Sequence, residues 1–143
     1  MGGIIVVGVD GSATARKAAG SARDLAIALD AELHVVSAFE KDRTMVVGSG
    51  SDQLVVGDAD TAERVARDVA RSLRSGNVNV SYFAVRGTPA QALIRQAETH
   101  GARMIVVGNR RMRGLGRVLG SVANSVAHNA PCDVYVAKTD EEW

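Results

Sequence analysis

The chain is poor in the residues that build several kinds of functional site. A single cysteine, Cys132, excludes an internal disulfide and any multi-cysteine zinc or iron–sulfur centre. The three histidines, His34, His100 and His128, show no metal-ligand spacing such as HExxH. Aromatic residues make up 3%, too few for a platform that stacks nucleic-acid bases. Neither sign of charge dominates: 17 Lys and Arg stand against 16 Asp and Glu, for a net charge of +1. A dedicated nucleic-acid binder carries a marked basic excess, so DNA and RNA are not expected partners. No apolar run approaches the ~18 residues needed to span a bilayer. Met1-Gly2-Gly3 leads directly into Ile4-Ile5-Val6-Val7, without the basic segment or cleavage site of a signal peptide. Val6 also stands where a myristoylation motif has Ser or Thr. The expectation is a cytoplasmic protein with no membrane partner.

What is present is ordinary in bulk and unusual in placement. Hydrophobic residues are 46% and charged residues 23%, typical of a globular chain. The 143 residues suit one domain, spanning 1–143, at ~100–200 residues per domain. Against only 2 prolines there are 15 glycines, and where they cluster matters.

Residues 4–7 form a short β-branched run bounded by glycines, the pattern of a buried parallel strand. Asp10-Gly11-Ser12 reads as a turn with Ser12 as a helix cap. Ala15, Ala18, Ala19, Ala22, Leu25, Ala26 and Leu29 then recur at helical spacing over 13–29. Further strands are predicted at 33–38, 78–85, 104–107 and 133–137, and further helices at 58–75, 89–101 and 121–130. Thr88-Pro89 supplies a cap and a first-turn proline for the third helix. Two segments lack a sustained period and read as loops, 39–57 and 108–120. Strands alternating with helices predict right-handed crossovers. The fold class is α/β, an open five-stranded parallel sheet with helices on both faces.

In such a sheet, ligands bind outside the carboxyl ends of the strands where the strand order reverses. Two turns are therefore candidates. The segment 108–120 holds four glycines, Gly108, Gly114, Gly116 and Gly120, and four arginines, Arg110, Arg111, Arg113 and Arg117, with no acidic residue. Glycines let backbone N–H groups approach an anion. The helix beginning at Gly120-Ser121 offers free N–H groups and its positive end. Together these make a candidate polyphosphate cradle. It is not a Walker A loop, because no GxxxxGK[ST] occurs, and it lacks the dinucleotide glycine spacing. Asp10, after the first strand, is a candidate acceptor for a ribose hydroxyl or adenine amine, or a ligand for Mg²⁺. It reads equally as a plain turn aspartate before Gly11. His128 and Cys132 read as structural, since no paired nucleophile and base is visible.

The stretches VGVDGS, LHVVSA, GTPAQALI and VVGNRRMRGLGRVLGSVANSVAHNAPCDVYVAK resemble the universal stress protein family, and the likeness runs through the whole chain. Nucleotide-binding members of that family carry a glycine, two residues, a second glycine, then about nine residues before Gly-Ser or Gly-Thr. Gly108 matches the first glycine, and Gly120-Ser121 match the last pair. Arg111 replaces the second glycine, and eight residues separate it from Gly120. A Cβ at position 111 would obstruct a closely held ribose or phosphate; a guanidinium there would instead add a phosphate contact.

The resemblance implies a Rossmann-like fold of the adenine-nucleotide α-hydrolase-like kind. It implies ATP, with or without Mg²⁺, as the bound cofactor of a stress-response regulator or sensor, without catalysis beyond slow hydrolysis. Gly8 and Asp10 would flank base and ribose, and Val35 would lie against the adenine. Asn109, Arg110 and Gly114 would line the phosphate loop, with Val122 and Ser125 near ribose and phosphate on the last helix. A homodimer through the last strand is implied as well. The competing readings are a dimeric interaction module that binds no nucleotide, a cAMP binder, and an enzyme forming an adenylated intermediate.

Overall fold

Strand β1, Ile4–Gly8, is flanked by hydrogen-bonded neighbours on both sides, and the architecture grows outward from it. The computed structural model describes residues 2–40, 44–47, 54–74, 77–109 and 119–139. After β1 come α1 (Ala13–Leu29), β2 (Glu32–Phe39), β3 (Thr44–Val47), β4 (Leu54–Gly57) and α2 (Asp58–Leu73). They are followed by β5 (Val80–Arg86), α3 (Pro89–His100), β6 (Met104–Gly108), α4 (Ser121–Asn129) and β7 (Asp133–Ala137). Five strands form one parallel sheet in the order β5-β2-β1-β6-β7. The expected α/β class, with helices on both faces of that sheet, is what the structure shows.

Successive side chains of a strand point to opposite faces, so each apolar run feeds two cores. Ile5 and Val7 of β1, with Leu33 and Val35 of β2, pack against α1 and α2. Val6, Val36, Ile105 and Val107 pack against Leu93 and Ala97 of α3 and Ala123 and Val126 of α4. Each fully buried Val or Ile contributes about 1.5–3 kcal/mol. The predicted caps form. Ser12 Oγ accepts from Ala15 N at 3.2 Å. Thr88 Oγ1 accepts from Gln91 N at 3.3 Å, while Gln91 Oε1 accepts from Thr88 N at 3.0 Å, which completes a capping box.

One expectation needs correction. The segment 39–57 is not all loop: β3 and β4 pair antiparallel, with Val46 opposite Val55. Each strand is four residues long, too short to display a sustained period beside the Gly48-Ser49-Gly50-Ser51 run.

Two buried polar pairs tie the fold together. On β2, His34 accepts a hydrogen bond at Nδ1 from Gln96 Nε2 of α3, 3.0 Å away. The neutral ring then carries its proton on Nε2, which lies 4.0 Å from Glu32 Oε1. Phe83 and His100 pack against the ring, with centroids at 4.7 and 5.0 Å. Burial, helped by His100 and opposed by Glu32, holds the His34 pKa below its ordinary value. At the other end of the sheet, Asn109 Oδ1 accepts from Thr139 N at 2.7 Å and from Thr139 Oγ1 at 3.1 Å. This pins the segment after β7 across the end of β6. Cys132 is half-buried beside the α3–α4 core, where burial and Asp133 push its thiol pKa up. A protonated thiol is a poor nucleophile, which fits a packing role.

The histidine sets a pH dependence. Unfolded His34 takes up a proton near about pH 6.5, and the folded ring resists it until lower pH. The unfolded state thus binds more protons just below that value, so stability falls as pH drops through it. Urea midpoints at about pH 7.5 and 5.5 should show this loss, and His34→Gln should flatten the difference. Asn109→Ala should cost about 1–3 kcal/mol in urea unfolding, because the buried Thr139 N–H loses its acceptor.

Candidate functional site

The strand order reverses between β1 and β6. The connection from β1 leads to α1 on one face, and the connection from β6 leads to α4 on the other. Diverging connections open a crevice at the carboxyl ends of the strands. A cavity of about 530 Å³ lies there. Small-molecule sites run from about 300 to 1,000 Å³, so it is large enough for a ligand.

Glycines end both central strands at this cavity. A Cβ on Gly8 would come 3.1 Å from both Leu93 methyl carbons. A Cβ on Gly108 would come 3.1 Å from Thr139 Oγ1. The absence of side chains lets α3 and the pinned segment after β7 close on the strand ends. Both glycines line the cavity, as does Thr139.

The amino end of α4 forms the anion-friendly side. Gly120 is its N-cap and provides no side-chain cap, whereas α1 and α3 are capped by Ser12 and Thr88. Gly120, Ser121, Val122 and Ala123 all line the cavity. The first N–H groups of a helix have no partner within it, and they sit at the positive end of its dipole. The opposite side is different. Asp10, Glu40 and Asp58 supply carboxylates, and Thr14, Ser37 and Thr61 supply hydroxyls. No Lys or Arg lines the cavity among the described residues.

The structure therefore brings together Gly8, Asp10, Gly108, Gly120, Ser121 and Val122. Asp10 is also a turn residue, since its Oδ1 accepts from Ser12 N at 3.0 Å. Three expected positions lie elsewhere. Val35 does not line the cavity; it is fully buried in the core under α1 and α2, and its neighbour Val36 lines the site instead. Asn109 is buried beside β6, with its Oδ1 engaged by Thr139. Ser125 lies one turn beyond the cavity wall on α4, where its carbonyl accepts from Asn129 Nδ2. Arg110, Arg111 and Gly114 lie outside the described residues. His128 is exposed on α4 and away from the cavity.

Sequence reasoning missed Ser37, Phe39, Glu40, Asp58, Thr61 and Thr139 as cavity residues. Ser37 carried a legible signal, a hydroxyl inside the apolar run LHVVSA. Asp58 and Thr61 carried none, because helical periodicity does not tell which sheet end a helix begins over.

Comparison with known proteins agrees with this architecture. A universal stress protein of Mycobacterium tuberculosis is 33% identical over 140 residues, covering 94% of this chain and 95% of that protein. A universal stress protein of Methanocaldococcus jannaschii is 32% identical over 139 residues, covering 94% of this chain and 81% of its own length. Among solved structures, a universal stress protein in complex with cAMP superposes with a TM-score of 0.72 at 29% identity, over 96% of this chain and 98% of that one. UspA from Lactobacillus plantarum shares the fold with a TM-score of 0.71 at 22% identity, over 94% and 97% of the two chains. The sequence model of the universal stress protein family matches residues 1–138, and the chain belongs to that family.

Proposed function

We propose that this protein binds an adenine nucleotide in the cavity at the β1–β6 switch point, with ATP as the ligand. The carrying observation is the amino end of α4, without a side-chain cap, opening into a cavity between two bare glycine strand ends. Phosphates would take the N–H groups of Ser121, Val122 and Ala123, in the manner of anion sites at helix amino ends. Arg110 and Arg111, which follow β6 in the sequence, would add cationic partners. Asp10 is a hard oxygen donor on the cavity wall and is the residue that would hold Mg²⁺ accompanying the phosphates.

The protein would act as a cytoplasmic sensor or regulator in stress, reporting nucleotide occupancy rather than turning substrate over. A second reading, cAMP in the same cavity, is favoured by the structural relative solved with that ligand at 29% identity. Assembly as a homodimer through β7 is part of the proposal. That strand is an edge of the sheet, and it leaves Tyr135 44% and Val136 37% exposed. An unpaired strand edge with apolar side chains invites a partner strand.

Calorimetric titration with ATP, AMP and cAMP tests the reading. Heat with ATP supports it, a response to cAMP alone selects the second reading, and none at millimolar concentration overturns both. Gly120→Val should weaken ATP at least about tenfold with the fold intact, since the N-cap backbone at φ −63°, ψ 158° suits valine. Arg111→Gly distinguishes a blocking arginine, which gives a gain in affinity, from a contributing one, which gives a loss. Light scattering should report a dimer, and Tyr135→Lys should shift it toward monomer.

A further inference from the structure

The five-stranded sheet is open, with β5 at one edge and β7 at the other. The two edges are built differently. Just before β5, the Asn79 carbonyl accepts from Leu33 N, and just after it Gly87 N donates to the Phe39 carbonyl, both at 2.8 Å. The odd-numbered residues of this stretch therefore direct their backbone groups at β2. Backbone groups alternate in direction along a strand, so Val80, Tyr82, Ala84 and Arg86 turn theirs outward, where no further strand pairs. Such a row of donors and acceptors is a template for a strand of another chain.

Arginines occupy both ends of that row. Arg74, just past the end of α2, donates from Nη2 to the Val80 carbonyl at 3.5 Å. Arg95 of α3 donates from Nη1 to the Arg86 carbonyl at 2.5 Å. The two helices lie on opposite faces of the sheet, so the edge is held from both sides. Val80 and Arg86 bound the strand, about 20 Å apart. Only Tyr82 and Ala84 lie between them with outward backbone groups. An added strand would run about 4.8 Å from β5, in the space of the two arginine side chains, and would have to displace both charge-assisted hydrogen bonds. β7 contrasts with this: its sequence, DVYVA, has no arginine, and Tyr135 and Val136 are exposed on it. The difference governs what assembly does. Pairing β7 with β7 of a second copy uses one surface twice and closes. Pairing β7 with β5 uses two surfaces, leaves one of each free and propagates.

We propose that Arg74 and Arg95 close the β5 edge to strand addition, so that a second copy of this chain pairs through β7 alone and assembly ends at two chains. The closure follows from the β5 geometry by itself. Only the count of two rests on the proposed β7 dimer.

The test follows association of the full chain by light scattering over a concentration series, with hydrogen exchange at the Tyr82 and Ala84 amides. Arg74→Ala/Arg95→Ala should grow beyond the wild-type species as concentration rises, and exchange at those two amides should slow by at least about tenfold as they gain a partner strand. Arg64→Ala/Arg71→Ala, which removes the same charge from the exposed face of α2, should stay at the wild-type state. On a Tyr135→Lys background, with β7 blocked, the Arg74→Ala/Arg95→Ala pair should turn a monomer into a dimer joined at β5. Each single alanine substitution should associate in the same way at higher concentration, and carries the test if the double variant melts early. A folded Arg74→Ala/Arg95→Ala chain that keeps the wild-type state overturns the inference. Equal growth of Arg64→Ala/Arg71→Ala also overturns it, because lost charge would then be the cause. If wild type is a monomer, the β7 reading has failed; association of Arg74→Ala/Arg95→Ala through β5 would still uphold the closure, and its absence would overturn that too.

Discussion

The parallel pairing of β1 with β2 on one side and β6 on the other is the constraint on which the rest depends. A parallel strand must reach its neighbour through a crossover, and right-handed crossovers leave little choice of face. Moving from β1 to β2 and β5 places α1 and α2 on one face. Turning back to β6 and β7 places α3 and α4 on the other. The crevice between β1 and β6 is a geometric consequence of that reversal, present whatever side chains line it.

The side chains then give the crevice a direction. At one end stand bare glycines and the amino end of a helix without a side-chain cap, a surface of donors. At the other stand carboxylates and hydroxyls on β2, α1 and α2. The Asn109–Thr139 pair completes the floor by holding the segment after β7 against Gly108. Elsewhere the buried His34 pairs with Gln96, which ties β2 to α3.

Much of this was legible in the chain. The β-branched runs at β1 and β6, the alanine periodicity of α1 and the caps at Ser12 and Thr88 all came out as expected. These are local features, set by residues within a turn or two of each other. The hairpin of β3 and β4 was not legible, because two four-residue strands are too short to establish a period. Within the site, Gly8, Asp10, Gly108, Gly120 and Ser121 were readable from the turns after two strands and the start of a helix, and Val122 from the family resemblance. Val35 and Asn109 were placed one step off. Val36, Ser37 and Ala38 at the carboxyl end of β2 line the cavity, whereas Val35 sits one position further back in the core. Asn109 found a closer partner in Thr139, thirty residues away in sequence.

By itself the sequence determined the alternation of strands and helices, their caps, and the two glycine-ended strands that mark where a ligand belongs. Those depend on periodicity and on backbone freedom, which are written residue by residue. Only the tertiary structure decided which side chains share the cavity. Ser37, Asp58, Thr61 and Thr139 come from three separate segments and meet only after the crossovers have closed. The reason is physical: local preference fixes the shape of each element, but the facing of one element upon another follows from burying both sides of a single sheet.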